Sequence, residues 1–389
     1  MKTINSAALW FGAAISVAEI LTGTFLAPLG LVKGAAAIVQ GHLIGGLAML
    51  LCGLIGAETG LAAMETAKLT FGKKGGKLFA FCNAAQLAGW TAVMIQSCAV
   101  AAAALTPGTG LPVWSVVTGI LILLWIAAGI ERIVRLNFVT VSLLFLLTAY
   151  VNAALLSGTA PALGTAGDEI SFGAAVELSA AMPLSWLPVV SDYTRRCSHK
   201  KKGTIAGCIA YGVGSIWMYM TGLMAAVWAG CSDVPTLLAV CGLGIPGLLI
   251  IVLSTVTTTF LDAVSAGISF TALTERPGER ISGILALLIG LAIALFDPPA
   301  GMEDFLYLIG SIFAPMAAVQ IADHFILGRR HPARDFDALN LGLWLGGFAL
   351  YRLLMAVETP FGITLPVMAA IIVISSLTGL AAGRKAKAA

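Results

Sequence analysis

Three acidic residues, Glu19, Glu177 and Asp262, lie inside long apolar stretches of this sequence. A carboxylate among hydrocarbon costs several kcal/mol unless it is paired or meets water, so such residues mark a site by default. The competing reading is a carboxyl near a helix end, or one protonated and packed. Ahead of Asp262 runs Ser254-Thr255-Val256-Thr257-Thr258-Thr259. Its hydroxyls either turn back onto their own helix or, joined by carbonyls of an unwound neighbour, offer the hard oxygen ligands of a small alkali cation. Asn83, Gln86 and Trp90 follow spacings of three and four and share one helical face. That face suits either a flat, hydrogen-bonding ligand or polar glue between helices with a packing Trp.

The stretches around Glu19 and Glu177 also carry helix-weakening residues. One reads Gly12-Ala13-Ala14-Ile15-Ser16-Val17-Ala18-Glu19 before Gly23 and Pro28; the other contains Met182-Pro183-Leu184-Ser185-Trp186-Leu187-Pro188. Backbone freed from helical hydrogen bonds is tolerated in a bilayer only where it lines a cavity. Interruption of both stretches therefore points to a binding site between them, with ordinary Gly and Pro kinks as the alternative. Asp323 and His324, near one end of their stretch, and His42, alone in another, fit structural roles.

These residues sit on elements set by composition. The 389 residues are 59% hydrophobic and 11% charged, with mean hydropathy +0.97, whereas a soluble globule carries roughly 25% charged residues. The chain is an integral membrane protein. Apolar segments fall near 7–31, 37–63, 79–105, 113–130, 134–157, 172–191, 204–229, 247–273, 281–296, 303–327, 341–357 and 363–382. They are apolar on all sides and too long for barrel strands, which predicts an all-α protein of twelve transmembrane helices. The two weakened segments, the first and the sixth, stand five apart in order, the spacing of a five-plus-five repeat whose second copy is inverted.

Lys and Arg are retained on the cytoplasmic side. With a cytoplasmic N-terminus, 20 of the 22 fall on that side, leaving Lys33 and Arg352. Both termini are then cytoplasmic, in an inner (cytoplasmic) membrane, and the loops with Asp168 and Glu169 and with Asp297-Pro298-Pro299 lie outside. The N-terminal stretch is too long, and lacks a clear cleavage site, for a secretory signal. Seven cysteines without a C-x-x-C read as core residues, not as a disulfide or zinc framework. Net charge +3 gives no case for nucleic acid. The stretch Phe71-Gly72-Lys73-Lys74-Gly75-Gly76 lacks phosphate-loop spacing, and no H-E-x-x-H helix is present, which disfavours an ATP-driven pump or a metalloprotease.

At Trp10-Phe11-Gly12, Gly89-Trp90, Ser191-Asp192-Tyr193-Thr194-Arg195 and Ser265-Ala266-Gly267 the sequence resembles the nucleobase:cation symporter-1 transporters. It is most similar to their cytosine-permease-like branch with hydroxymethylpyrimidine transporters, over essentially the whole chain. The resemblance implies a leucine-transporter-like fold: a first inverted repeat over 1–160, a second over 161–330, and two additional C-terminal helices with a tail over 331–389. It implies symport of a planar nitrogen heterocycle with a cation, Trp90 stacking on the ligand and Ser16 lying in the span-one break. A family Gln falls on Met94, a substrate-binding Asn on Asp262, and the second stacking position near Pro183, one turn from Trp186. For Na+ it implies the carbonyls of Gly12, Ile15 and Leu253 and the hydroxyls of Thr257 and Thr258.

The expected function is uptake of a pyrimidine, cytosine or the hydroxymethylpyrimidine precursor of thiamin. The ligand stacks on Trp90 beside Gln86 and presents its amino group and ring nitrogen to Asp262, with Glu19 or Glu177 nearby. An ionised carboxylate only accepts hydrogen bonds and so suits those donors. Na+ or H+ is the coupling ion, with no other cofactor and no obligate protein partner beside membrane lipid. The alternatives are a proton-coupled permease for another nucleobase-like heterocycle and, from other classes, a channel or a membrane enzyme.

Overall fold

A computed structural model describes the chain except residues 129, 159–168, 232, 275, 277, 297–300, 329–333 and 389, and without the side chains of 105, 128–138 and 382–388. Asp168, Asp297-Pro298-Pro299, Arg329 and Arg330 lie outside the described residues, as do the expected repeat boundaries. The side chains of Arg132, Arg135, Arg384, Lys385 and Lys387 do so too.

Each apolar run forms helix, since in lipid a helix satisfies every backbone group within its own segment. In chain order these are α1 (Thr3–Ala14), α2 (Val17–Thr24), α3 (Gly30–Thr59), α4 (Ala63–Phe71), α5 (Gly75–Leu105), α6 (Leu111–Ala128), α7 (Ile130–Leu156) and α8 (Phe172–Ser185). There follow α9 (Leu187–Thr194), α10 (Lys200–Ala229), α11 (Val234–Val240), α12 (Gly244–Leu273), α13 (Glu279–Phe296), α14 (Met302–Ile321), α15 (Ala338–Leu354) and α16 (Thr364–Ala388). Among the described residues nine helices have the length and apolarity to cross a membrane, and α1 with α2, bent by 50°, makes a tenth. The apolar helices at Leu111–Ala127 and Ala338–Leu354 are shorter. Side chains such as Leu43, Leu47, Ile209, Val213, Leu288 and Ile289 point out of the bundle, as a lipid-facing surface requires.

The two weakened stretches behave differently. Between α1 and α2, Ile15 (φ −80°, ψ 80°) and Ser16 (φ −136°, ψ 156°) leave helical geometry. Gly23 and Pro28 do not break the helix. Gly23 lets α2 lie against the Tyr219 backbone of α10, and Pro28 opens a 3-10 turn at Ala27–Leu29. The second stretch is only interrupted, because Trp186 between α8 and α9 keeps right-handed geometry (φ −89°, ψ −8°) and Phe172–Thr194 runs on as one span of 23 residues. The expected pair of open breaks is one open break facing one interruption.

Small residues set the neighbours. A side chain at Gly41, Gly45 or Gly56 of α3 would collide with Ser179, Pro183 or Ser191, so α3 packs backbone to backbone on α8 and α9 in the small-xxx-small manner of membrane helices. Gly207 and Gly214 of α10 meet Trp10 and Ala14 of α1 in the same way. On the other side of the site α5 packs on α12 and α13. The connector before α15 is tied to the α4–α5 turn: Lys73 N–H donates to Arg334 O at 2.9 Å and Lys74 N–H to Asp335 O at 2.8 Å. The Lys74 ammonium, 2.7 Å from Asp335, holds that carboxyl below its ordinary range.

Candidate functional site

The break at Ile15–Ser16 opens one wall of a cavity whose others come from α5, the α8–α9 junction and α12. Six expected residues, Ser16, Glu19, Trp90, Met94, Trp186 and Asp262, line it together, as does Thr258 of the expected cation set. Its volume is about 30 Å³, room for roughly one water and far below the roughly 300–1,000 Å³ of formed ligand pockets. A second cavity of about 190 Å³ lies along α2 and α5, lined by Leu21, Gln96 and Ser97 and by Asp233 and Pro235 at the start of α11.

The two wall carboxylates are held in contrasting ways. Asp262 is 5% exposed and no hydrogen bond to its carboxylate is formed among the described residues. Glu19, 2% exposed, accepts from Tyr211 at 3.0 Å and from Ser215 at 2.5 Å. Across the cavity wall the indole N–H of Trp90 is buried and unpartnered, and its ring packs edge-on against Phe305 with centroids 5.3 Å apart. Buried polar groups are nearly always satisfied, so the Asp262 carboxyl left open on the cavity is an acceptor for something that enters it.

Other expected ligand residues lie behind the wall. Glu177 is turned away. Its carboxylate accepts from Tyr351 O–H at 2.6 Å, from Ile363 N–H at 2.6 Å, and from Thr364 N–H and O–H at 2.7 and 2.6 Å, capping α16. The chain thus spends this buried acid on joining α8 to α15 and α16. Gln86 donates to Ser185 O at 2.9 Å and Asn83 to Pro188 O at 3.1 Å. The Ser185 carbonyl needs such a donor because Val189 N–H bonds to Trp186 O instead. The polar face of α5 is therefore glue that steadies the interruption. Pro183 packs against Gly45 behind Met182 and Ser185, which do line the cavity.

For a cation, the break frees oxygen atoms. Ser16 N–H bonds to Ala14 O at 2.9 Å, not to Gly12 O four residues back, and Ile15 O receives the Ser254 hydroxyl at 3.4 Å. Thr257 turns its hydroxyl onto Ser254 O at 2.9 Å, leaving its oxygen lone pairs open. The Leu253 side chain is 37% exposed and faces away from the core, so only its backbone could serve. Among the described residues no three His, Cys, Asp or Glu form a metal-type cluster, and a cation here would be held by neutral oxygens.

Two groupings were not foreseen from the sequence, although Trp10, Tyr193, Ser265, Trp186 and His42 were each named there. Trp10 stands edge-on to Trp186, Tyr193 and Tyr211 at centroid distances of 5.4, 5.6 and 6.2 Å, and Tyr193 O–H meets the Ser265 hydroxyl at 3.1 Å. Through Trp186, which lines the cavity, this aromatic plug abuts it. Behind Glu19 stand Tyr211, Ser215 and Tyr219 of α10 and His42 of α3. The spacing of four between the three α10 residues, inside an apolar run, was the available signal.

Residues 1–337 match the family of permeases for cytosine/purines, uracil, thiamine and allantoin. The cytosine permeases of Escherichia coli O157:H7 and of strain K12 are each 24% identical to the chain over 340 residues, 85% of this chain and 76% of theirs. Among solved structures, the chain is similar to Mhp1, a nucleobase-cation-symport-1 family transporter, in a closed conformation with bromovinylhydantoin bound. The TM-score is 0.83 at 18% identity, covering 99% of this chain and 93% of that one. Mhp1 facing inward gives 0.80 at 19% identity over 99% and 91% of the two chains. A Na+-coupled sialic acid symporter in a substrate-bound outward-open state gives 0.61 at 13% identity over 95% and 89%. At these identities the solved structures speak for the fold alone.

Proposed function

Because this chain belongs to the family of permeases for cytosine/purines, uracil, thiamine and allantoin, it is a transporter and not an enzyme, and we propose that it imports an aminopyrimidine together with Na+. The substrate is cytosine or the hydroxymethylpyrimidine precursor of thiamin, and the path is alternating access through the inner membrane. The proposed architecture has twelve spans, the first ten in two inverted repeats, with both termini cytoplasmic.

The observation that carries the reading is the Asp262 carboxylate, buried on the cavity wall without a hydrogen-bond donor of its own. A 4-amino-pyrimidine brings adjacent donors to that acceptor and a flat face to Trp90, while an analogue without the amino group leaves the carboxylate unpaired and is rejected. Na+ sits between the Gly12 and Ile15 carbonyls and α12, where Ser254 already reaches Ile15 O at 3.4 Å and Thr257 and Thr258 add hydroxyls. Coupling follows because Na+ joins the two helices that also form the ligand wall, so ion and ligand favour the same conformation.

Proteoliposome uptake of labelled cytosine, hydroxymethylpyrimidine, hypoxanthine and hydantoin under separate Na+ and pH gradients tests this. An inward Na+ gradient is expected to drive aminopyrimidines above equilibrium, and Ser254→Ala to raise the half-saturating Na+ concentration several-fold. Uptake that never exceeds equilibrium would indicate a channel, and preference for a ring without an amino group would refute the Asp262 assignment.

A further inference from the structure

We infer that Glu19, Ser215 and His42 form a proton-binding relay that opens on the cavity, and that this carrier moves one proton with its ligand in addition to the metal cation. The inference follows from counting hydrogens. His42 Nδ1 lies 2.8 Å from Ile38 O, His42 Nε2 lies 2.6 Å from Ser215 Oγ, and Ser215 Oγ lies 2.5 Å from Glu19 Oε2. The Ile38 carbonyl only accepts, so Nδ1 holds a hydrogen and Nε2 must be served separately. Two short contacts remain, Nε2···Oγ and Oγ···Oε2, and the serine hydroxyl supplies one hydrogen. With an ionised Glu19 and a neutral His42, one of the two contacts would set lone pair against lone pair. The geometry therefore requires one more proton.

That proton has two resting places. On Glu19, the carboxyl donates to Ser215 and Ser215 donates to neutral His42. On His42, the imidazolium Nε2–H donates to Ser215 and Ser215 donates to the Glu19 carboxylate. The two interconvert when the Oε2–H and Oγ–H bonds break as Oγ–H and Nε2–H bonds form, with no change in total charge. Tyr211 donates to Glu19 Oε1 in either arrangement.

The surroundings make the proton exchangeable instead of merely buried. Glu19 lines the cavity, whereas His42 is 4% exposed and lies edge-on to Tyr219 with centroids 4.9 Å apart. The titratable groups facing the relay are Tyr211 and Tyr219 of α10 and, on the same cavity, Asp262 of α12. Other acids on neighbouring elements are engaged elsewhere: Glu177 with α16, Asp192 with Ala63 N–H, Asp233 with Thr236, Glu58 with His324, and Asp323 with Asn340. Among the described residues no Lys or Arg forms an ion pair with Glu19, so the extra proton is what neutralises it. The relay joins three helices, α2, α3 and α10. It is assembled only while α2 lies against α10, and any tilt of α2 about the Ile15–Ser16 break exposes Glu19 and releases the proton.

The coupling half of this inference rests on the transport reading above; the relay half does not. In liposomes with a trapped pH indicator, cytosine uptake driven by Na+ is expected to acidify the lumen by about one proton per ligand. His42→Gln and, independently, Ser215→Ala are expected to abolish the acidification while Na+-driven counterflow persists. Uptake by the wild type without acidification would overturn the coupling. With 15N-labelled histidine, the His42 ring signal, identified by its loss in His42→Gln, is expected to move with pH in the wild type and to stay fixed in Glu19→Gln. A His42 signal indifferent to pH in the wild type would overturn the relay, whether or not any pyrimidine is carried.

Discussion

Replacing Asp262 by Asn should weaken the ligand and leave the empty carrier as stable as before, a split that a purely structural carboxylate would not give. The isosteric amide keeps one acceptor oxygen and turns an NH2 group toward the second donor of a 4-amino-pyrimidine. A hydrogen bond to a charged group is worth about 1.5–3 kcal/mol, and opposing two donors leaves both unsatisfied. A net loss of about 2–3 kcal/mol raises the Kd for cytosine about 30- to 150-fold. In the ligand-free protein the same change exchanges a carboxyl without a protein hydrogen bond, 5% exposed, for an amide of the same shape. No protein hydrogen bond is lost by it, so the melting temperature should stay within about 2 °C of wild type. Scintillation-proximity binding of labelled cytosine and a thermal melt on the same detergent-solubilised sample read both effects. A Kd within threefold of wild type together with a lower melting temperature would show that Asp262 holds the helices together and does not meet the ligand.

Two further substitutions separate structural from ligand roles. Glu177→Gln replaces an acceptor of four hydrogen bonds by a group whose oxygen takes two and whose NH2 faces two donors. At about 1–3 kcal/mol per unsatisfied group the expected loss is about 3–5 kcal/mol of stability, seen as a large fall in melting temperature with ligand Kd unchanged in the folded fraction. A tenfold change in Kd without loss of stability would return Glu177 to the binding site. Tyr193→Phe deletes only the 3.1 Å contact to Ser265, worth about 1 kcal/mol. It should open the plug end about fivefold more often, read as the alkylation rate of Ala13→Cys in a cysteine-free background, and an unchanged rate would exclude that bond from the closure.

Where the sequence foretold the structure, the cause was local. Runs of twenty or more apolar residues leave a chain in lipid no option but helix, and the helix positions followed within a few residues. The short helices α4 and α11 were invisible to that rule because caps define them: Asp233 accepts from Thr236 N–H at 2.8 Å, and the N-terminus of α4 points Ala63 N–H at Asp192, 2.9 Å away. The break in α1–α2 was legible as a weak stretch, yet its position at Ile15–Ser16 is fixed by α12, which brings Ser254 to Ile15 O from 239 residues away. Pro183 and Pro188 suggested a comparable break, but Gln86 and Asn83 supply donors to the interrupted backbone, and Phe172–Thr194 continues as one span. Buried acids could be spotted one by one. Which of them meets a ligand could not, because the partners of Glu177 lie 174 to 187 residues further along the chain.

The two carboxylates on the cavity wall have to be assigned different tasks, and their surroundings decide which is which. Glu19 is enclosed by hydroxyl groups at 2.5 and 3.0 Å, so a ligand donor would have to displace a bond already made and would gain little for it. Asp262 offers its lone pairs without competition, and every donor that reaches it relieves a desolvation cost already present in the empty protein. Selectivity among rings therefore belongs to Asp262, and proton occupancy to Glu19. Both face a space of about 30 Å³, too small for a pyrimidine ring, so ligand entry must move a wall. Of the elements forming it, α8–α9 is braced by the donors of α5, whereas α2 is joined to α1 through two non-helical residues. Hinging at Ile15–Ser16 would admit the ligand, and closing again around it would restore the Ser254–Ile15 contact that helps define the cation site and the Glu19–Ser215 contact of the relay. One closure would thus raise ligand, metal-cation and proton affinities together, which is the physical requirement for carrying them together.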